Sequence, residues 1–191
     1  MFHTDFRDAM VAAHDLVSEK LGFVGYGVIN LYEGDETEGS RLLVPFGNLI
    51  TDAGDLYAAG KIVTGIGTAA PAAPTPANGM KLGTGVTAVA KSGAGGALVT
   101  YLAASNVAFD AAWAQTVNLG AGLGVNAQHK TTWIAGVATN SALREAVIVN
   151  DRATDATTTA ANTYSRILFT AIDKLAADSL AITWNYKCLG V

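Results

Sequence analysis

The chain has 191 residues, enough for one domain, or one domain with an appended arm, to bury an apolar core. Hydrophobic residues make up 50% and charged residues only 15%, below the roughly one quarter of an ordinary soluble domain, yet no run reaches the roughly 18 apolar residues of a membrane-spanning helix. A net charge of −4 argues against binding to nucleic acid. The first residues show no basic start followed by an apolar run, which argues against a secretory signal. We therefore expect neither a nucleic-acid nor a membrane partner.

Residues 1–22 are predicted to form a helical arm. Apolar residues recur there at helical spacing between Thr4, a suitable N-cap, and Gly22, a suitable stop. Such a helix either covers the core of its own domain or lies on a neighbouring subunit. The stripe residues Phe6, Met10 and Val17 are therefore candidate interface residues.

A β-hairpin is predicted next. Residues 23–31 and 41–46 have strand-like composition, and the segment between them is rich in Glu, Asp and Gly. This acidic segment lacks the Asp-x-Asp-x-Asp-Gly order of a calcium loop. A solvated hairpin tip is therefore the better interpretation.

A short internal helix is predicted after the hairpin. Thr51 can cap its first turn, and Leu56 and Tyr57 would face inward. Gly60 is expected to end it.

Residues 64–96 are predicted to form a long loop. Gly, Ala, Thr and Pro dominate this segment, which does not favour a regular helix or strand. A loop of this length in a compact domain is usually disordered or ordered by a partner, and we favour ordering by contact. Few charged residues lie between positions 56 and 143, so the middle of the chain is the expected interface, with Leu82 and Val86 as candidate contact residues.

The second half contains a series of predicted strands. In the last one, apolar residues from Leu180 to Cys188 alternate with polar or small ones, which predicts one buried and one polar face. Cys188, the single cysteine, is expected to be a core side chain. The fold class predicted for 23–191 is mainly β, an antiparallel, jelly-roll-like β-sandwich. The predicted strands cover residues 97–109, 125–135, 143–149, 164–172 and 179–189.

The sequence lacks the context that motifs for cofactor binding, metal binding and catalysis require. Gly65, Gly67 and Ala70 spell G-x-G-x-x-A, but the prolines that follow forbid the helix that would hold a pyrophosphate. The histidines lack a second ligand at metal spacing, and no G-x-S-x-G nucleophile motif occurs. We therefore expect no catalytic residues, no cofactor, no metal and no enzymatic activity.

Tryptophan is the residue type that suggests a contact surface. Trp133 and Trp184 lie within strand patterns and are expected in the core. Trp113 lies in a loop-like context and is a candidate contact residue. It would meet either another subunit or a sugar ring.

Two short stretches resemble virion proteins of tailed bacteriophages. Residues 48–54, with the sequence NLITDAG, are similar to an N-L-I/V-T-D-x-G element that follows an opening hairpin in small β-rich virion proteins. Residues 178–184, with the sequence DSLAITW, resemble the G-D-x-L-x-V/I-T-W final strand of such proteins. The order of elements is similar over most of the chain, whereas the motifs cover only these two stretches.

The resemblance implies a structural role in a virion. The first hypothesis is a capsid decoration or cement subunit on the head surface, made in the host cytoplasm, that binds the major capsid protein and itself as a homotrimer. The second is a tail-tip or tail-fibre component that binds a host surface glycan, favoured by Trp113 and the Asn- and Thr-rich loops. A polymer hydrolase comes last, because the acidic residues do not converge on one cleft.

Overall fold

The computed structural model describes residues 23–35, 39–62, 74–120 and 124–188. The predicted helical arm, with Phe6, Met10 and Val17, lies outside the described residues. The chain divides into two compact units. The first draws its described residues from Met1–Asn48, Phe109–Ala142 and Ala171–Val191, and the second consists of Leu49–Ala108 and Leu143–Thr170.

The described residues contain nine strands, one α-helix and two short 3-10 turns, so the prediction of a mainly β, antiparallel fold with a short internal helix is confirmed. The sandwich arrangement stays a prediction. The strands are β1 (Phe23–Tyr32), β2 (Ser40–Ile50), β3 (Gly79–Gly83), β4 (Val107–Ala108), β5 (Gln115–Asn118), β6 (Val125–Trp133), β7 (Asn140–Val149), β8 (Thr163–Lys174) and β9 (Ser179–Cys188). The helix α1 is Asp52–Ile62, and the 3-10 turns are Gly93–Gly96 and Ala160–Asn162.

The first unit is built on an antiparallel sheet in the order β2-β1-β9-β6-β5. The predicted hairpin is confirmed as the β1–β2 pair, with a register shift between Leu31 and Tyr32. β9, the clearest strand pattern in the sequence, lies between β1 and β6. Trp133 and Trp184 are completely buried, as predicted.

A row of side chains crosses this sheet at Gly27. Phe46 and Trp184 are the direct neighbours of Gly27 on β2 and β9, and His129 is the next along the row on β6. The rings of Phe46 and Trp184 meet edge to face, with 5.1 Å between their centroids. A Cβ atom at Gly27 would lie 2.1 Å from the Thr183 carbonyl oxygen and 2.5 Å from the Phe46 ring. Glycine at this position lets the two rings meet across β1.

The polar face of β9 is not exposed, contrary to the simple alternation in the sequence. Thr183 and Asn185 are both buried. Gln128 donates from Nε2 to Asn185 Oδ1 at 2.8 Å, and Asn126 donates from Nδ2 to Tyr26 Oη at 2.7 Å. Hydrogen bonds between side chains offset part of the cost of burying these groups.

The second unit is built on strands in the order β4-β3-β7-β8, with the last residues of β2 beside β8. The predicted cap of α1 is confirmed, since Thr51 Oγ1 accepts a hydrogen bond from Gly54 N at 3.2 Å. Tyr57 stacks on Tyr164 with 5.1 Å between ring centroids. The helix continues to Ile62, two residues beyond the end predicted at Gly60.

Two sequence predictions in this unit are wrong. The predicted loop 64–96 contains β3, a strand whose five residues are all buried and which pairs with β7 between Glu145 and Val149. The predicted strand 97–109 contains only the two-residue β4 and an isolated bridge at Tyr101. β3 has two glycines and a lysine, so its pairing with β7 outweighs its low strand propensity.

Candidate functional site

The glycine-rich loop, defined here as residues 84–100, projects from the end of β3. Its base is closed by the bridge between Gly83 and Tyr101 and by a 2.9 Å hydrogen bond from Thr84 N to Thr100 O. Leu98 anchors it from the inside, packing against Val147 and Val149 of β7. The loop therefore begins and ends at fixed points on the core of the second unit.

A completely buried ion pair lies beneath this loop. Glu145 on β7 and Arg166 on β8 are both fully inaccessible, and Arg166 Nη2 lies 2.8 Å from Glu145 Oε2. Arg166 Nε donates to the same oxygen at 3.1 Å. Two charges in the interior are tolerated only when their remaining donors and acceptors are also satisfied.

Both partners of the pair bind the backbone of the glycine-rich loop. Glu145 Oε1 accepts from Gly85 N at 2.9 Å and from Thr100 N at 2.8 Å, and Oε2 accepts from Val99 N at 3.2 Å. On the other side, Arg166 Nη1 donates to Thr87 O at 2.9 Å and to Gly95 O at 3.1 Å. The ion pair thus holds both arms of the loop.

Glycine is needed where Glu145 meets the loop. A Cβ atom at Gly83 would lie 2.6 Å from Glu145 Oε1, and one at Gly85 would lie 2.4 Å from the same oxygen. Neither position has room for a side chain while the carboxylate remains in place. These two glycines permit a tight contact between the loop backbone and the carboxylate.

The tip of the loop is tied to the N-terminus of α1. Asp52 N donates to Lys91 O at 2.9 Å, and the Lys91 ammonium group forms an ion pair with the Asp55 carboxylate. Within the tip, Ala90 N donates to Gly95 O at 2.9 Å. Base, middle and tip are therefore each held by the second unit.

The outer surface of this fixed loop is apolar and weakly charged. Residues 86–94 are all exposed, and Lys91 is the one charged residue among them. Val86 is 71% exposed, and Val89 and Val99 are also exposed. A preorganised surface of this kind loses little conformational entropy on binding another surface, so it is suited to association.

The structure separates the predicted interface residues. Val86 is a highly exposed residue of the glycine-rich loop, whereas Leu82 is completely buried in β3 and is a core residue. Trp113 is partly exposed and belongs to the other compact unit. Glu145 and Arg166 were not singled out from the sequence, because a charged residue in a strand pattern is normally assigned to the solvent face.

Trp113 lies in a turn that Asp110 organises. Asp110 accepts hydrogen bonds from Thr132 N at 2.9 Å and Thr132 Oγ1 at 2.7 Å, and it lies 3.8 Å from Lys130 Nζ. Lys130 Nζ in turn is 5.8 Å from the centroid of the Trp113 ring, a cation–π contact.

The backbone on each side of Trp113 is strained. Ala112 and Ala114 have φ values of 66° and 79°, a region that alanine rarely adopts. Strain of this kind persists where the surrounding structure imposes it, often at functional positions. The ring is therefore presented in a defined orientation.

His129 is the histidine of the described residues with a shifted pKa. Its ring lies against Phe109, with 4.7 Å between centroids, and against Tyr186, with 5.6 Å. Its Nδ1 has no hydrogen-bond partner among the described residues. Burial lowers the pKa of His129 from 6.5 to about 4, so the ring is neutral at physiological pH.

This pKa predicts an acid-sensitive fold. The unfolded chain binds a proton at His129 below its ordinary pKa of 6.5, while the folded chain does so only near about 4. The stability contributed by the neutral ring is therefore complete above the ordinary pKa and is lost, by about 3 kcal/mol in all, as the pH falls to the lowered value. We expect His129→Phe, which keeps a ring but cannot titrate, to lack this loss.

Urea unfolding of both proteins at pH about 7 and about 4.5 checks the prediction. The carboxylates titrate in both proteins, so the difference between the two pH dependences isolates His129. An identical pH dependence would show that the buried ring does not control acid sensitivity.

No cluster of three or more His, Cys, Asp or Glu side chains with metal-binding geometry occurs in the described ranges. No helix among them is both long and apolar enough to cross a membrane. The chain matches no protein-family model, no curated protein and no solved structure.

Proposed function

We propose that this chain is a structural subunit of a tailed-bacteriophage virion, specifically a capsid decoration or cement protein. The observation that carries the proposal is the glycine-rich loop, an exposed apolar surface fixed by the buried Glu145–Arg166 pair. In this proposal the loop binds the major capsid protein and neighbouring copies in a homotrimer on the head surface. The jelly-roll-like sandwich over 23–191 belongs to the same proposal.

Rigidity is what makes the loop a suitable contact element. A flexible segment would lose conformational entropy on binding, whereas this loop is already held at Gly85, Thr87, Gly95 and Thr100. A specific interface buries about 1,000 Å² or more, which requires several such surfaces per subunit. Repetition over many subunits then multiplies modest affinities into a stable shell.

Immunogold labelling of purified virions tests the location. With an antibody raised against this chain, we expect label over the whole head. Label confined to the tail end would overturn the cement proposal and favour the second candidate. Virions without label would overturn both.

The second candidate is a tail-tip or tail-fibre component that binds a host surface glycan. The partly exposed Trp113, oriented by the strained turn at Ala112 and Ala114, favours it. Aromatic rings held in one orientation are suited to stacking against sugars. Binding of the purified chain to host cells, lost in Trp113→Ala, is the observation that would support this candidate.

Substitutions on the loop surface test its role as a contact element. We expect Val86→Asp with Val89→Asp to lower binding to capsid shells by about tenfold or more, because two charges would be buried at the interface. The free energy of unfolding should change by about 0.5 kcal/mol or less, since both residues are exposed. Co-sedimentation with shells lacking this protein and urea unfolding measure the two effects.

The matched control is Val125→Asp. Val125 is 39% exposed, like Val89, but lies on β6 in the first unit. It should leave shell binding intact. Equal loss of binding in the control and the loop variant would contradict a specific role for the loop.

A further inference from the structure

Lys81 is a buried lysine whose amine lies beside a carboxyl group. Its side chain, in the middle of β3, is completely inaccessible. Nζ donates to the Ala156 carbonyl oxygen at 3.1 Å and lies 5.7 Å from the centroid of the Tyr101 ring. Burial of this kind keeps bulk water away from the amine and holds Nζ in one place.

The carboxyl group beside this amine belongs to Asp151, just after β7. Lys81 Nζ lies 3.0 Å from Asp151 Oδ1. Yet Oδ1 accepts no hydrogen bond with acceptable angles from any described residue, although this distance is short enough for one. The amine therefore lies next to the carboxyl group outside normal hydrogen-bond geometry.

Asn78 holds the two groups together. It precedes β3, the strand that carries Lys81, and contacts the residues on both sides of Asp151. Asn78 Nδ2 donates to Asn150 O at 2.7 Å, and Arg152 N donates to Asn78 Oδ1 at 3.1 Å. The second oxygen of Asp151, Oδ2, accepts from Thr158 Oγ1 at 2.7 Å, which fixes the carboxyl plane.

A second carboxylate adjoins this arrangement. Asp155 accepts hydrogen bonds from Tyr101 Oη and Ala104 N. These bonds, and then the charge of Lys81, lower the pKa of Asp155. Asp155 is thus an ionised carboxylate within electrostatic reach of Lys81, and in the step proposed below it acts as the base that accepts protons from Nζ.

We propose that Lys81 and Asp151 condense to an intramolecular amide crosslink between β3 and the segment after β7. In this step the Nζ lone pair attacks Asp151 Cγ, a C–N bond forms, and the Cγ–Oδ1 bond breaks. Two protons leave Nζ, carried by Asp155, and depart with Oδ1 as one water molecule. Oδ2 remains as the amide oxygen, bound to Thr158. No oxidant or other reactant is required.

Proximity makes this condensation favourable in the folded protein. Well-oriented intramolecular reactions reach effective concentrations on the order of 10⁵ M or more, far above any concentration available to free amines and acids. Exclusion of water from around Lys81 further opposes hydrolysis of the amide. The crosslink is independent of the proposed function, and either can fail without the other.

The intact mass of the full-length folded protein tests the proposal directly. We expect a mass lower than that of the sequence by one water molecule, and a branched peptide joining the segments around Lys81 and Asp151 after proteolysis. A protein of full mass would overturn the proposal and leave an ordinary ion pair. A water loss mapped to any other peptide would overturn it as well.

Variants identify the groups that react. Lys81→Arg keeps the positive charge but cannot form this amide, so it should show the full mass, while the matched control Lys91→Arg on the exposed loop should still lose water. Asp155→Asn should slow the crosslink in freshly refolded protein at least about tenfold, within the range of general acid–base contributions. Unchanged water loss in Lys81→Arg would overturn the assignment. An Asp155→Asn variant that crosslinks at the original rate would remove Asp155 from the proposed step.

Discussion

Replacing Glu145 by glutamine is expected to lower the free energy of unfolding by about 3–5 kcal/mol. Glu145 accepts five hydrogen bonds, two from Arg166 and three from loop amides. Glutamine has one acceptor oxygen, so its NH₂ group would replace the second carboxylate oxygen and face N–H donors. The Arg166 guanidinium group would also remain buried without a counter-charge.

The same variant should loosen the glycine-rich loop. Lys91 lies near the tip of the loop, so trypsin cleavage after Lys91 reports its local opening. We expect urea unfolding to show the stability loss and limited trypsin digestion to show faster cleavage at this bond. Both effects follow from the removal of one internal charge.

The matched control for Glu145→Gln is Asp55→Asn. This change breaks the ion pair between Asp55 and Lys91, and both side chains are exposed. The free energy of unfolding should therefore fall by about 1 kcal/mol or less. Equal losses of stability in the two variants would show that the buried Glu145–Arg166 pair contributes no more to stability than an exposed pair does. A large stability loss without faster cleavage at Lys91 would show that the Glu145–Arg166 pair stabilises the fold but does not order the glycine-rich loop.

Replacing Trp184 by alanine is expected to lower the free energy of unfolding by about 3–5 kcal/mol. Trp184 is completely buried on β9 and meets Phe46 across Gly27. Alanine would leave a cavity that the neighbouring strands cannot close, because the sheet pairing on both sides of β9 keeps them apart. The loss combines reduced apolar burial with the empty volume.

Trp113→Ala is the control for this prediction. Its ring is partly exposed and contacts Lys130, so its removal should cost about 1 kcal/mol or less. Urea unfolding of both variants measures the contrast. Comparable losses would mean that Trp113 supports the core, which would weaken its assignment as a contact residue.

The sequence alone predicted elements whose signals are local. The β1–β2 hairpin, the cap of α1 at Thr51 and the last strand follow from turn residues, a capping hydroxyl and period-two alternation, all within a few positions of the chain. The burial of Trp133 and Trp184 was predicted from their positions within strand patterns. Residues that interact with near neighbours in the chain leave a readable pattern.

The tertiary structure alone decided the features that depend on distant partners. β3 is a strand because β7 pairs with it, although its composition suggested a loop and Leu82 a surface contact. Glu145 and Arg166 meet because β7 and β8 are adjacent, and their burial turns a glycine-rich segment into a fixed surface. Strand register and the hydrogen bonds of a buried charge join residues far apart in the chain, so local composition cannot reveal them.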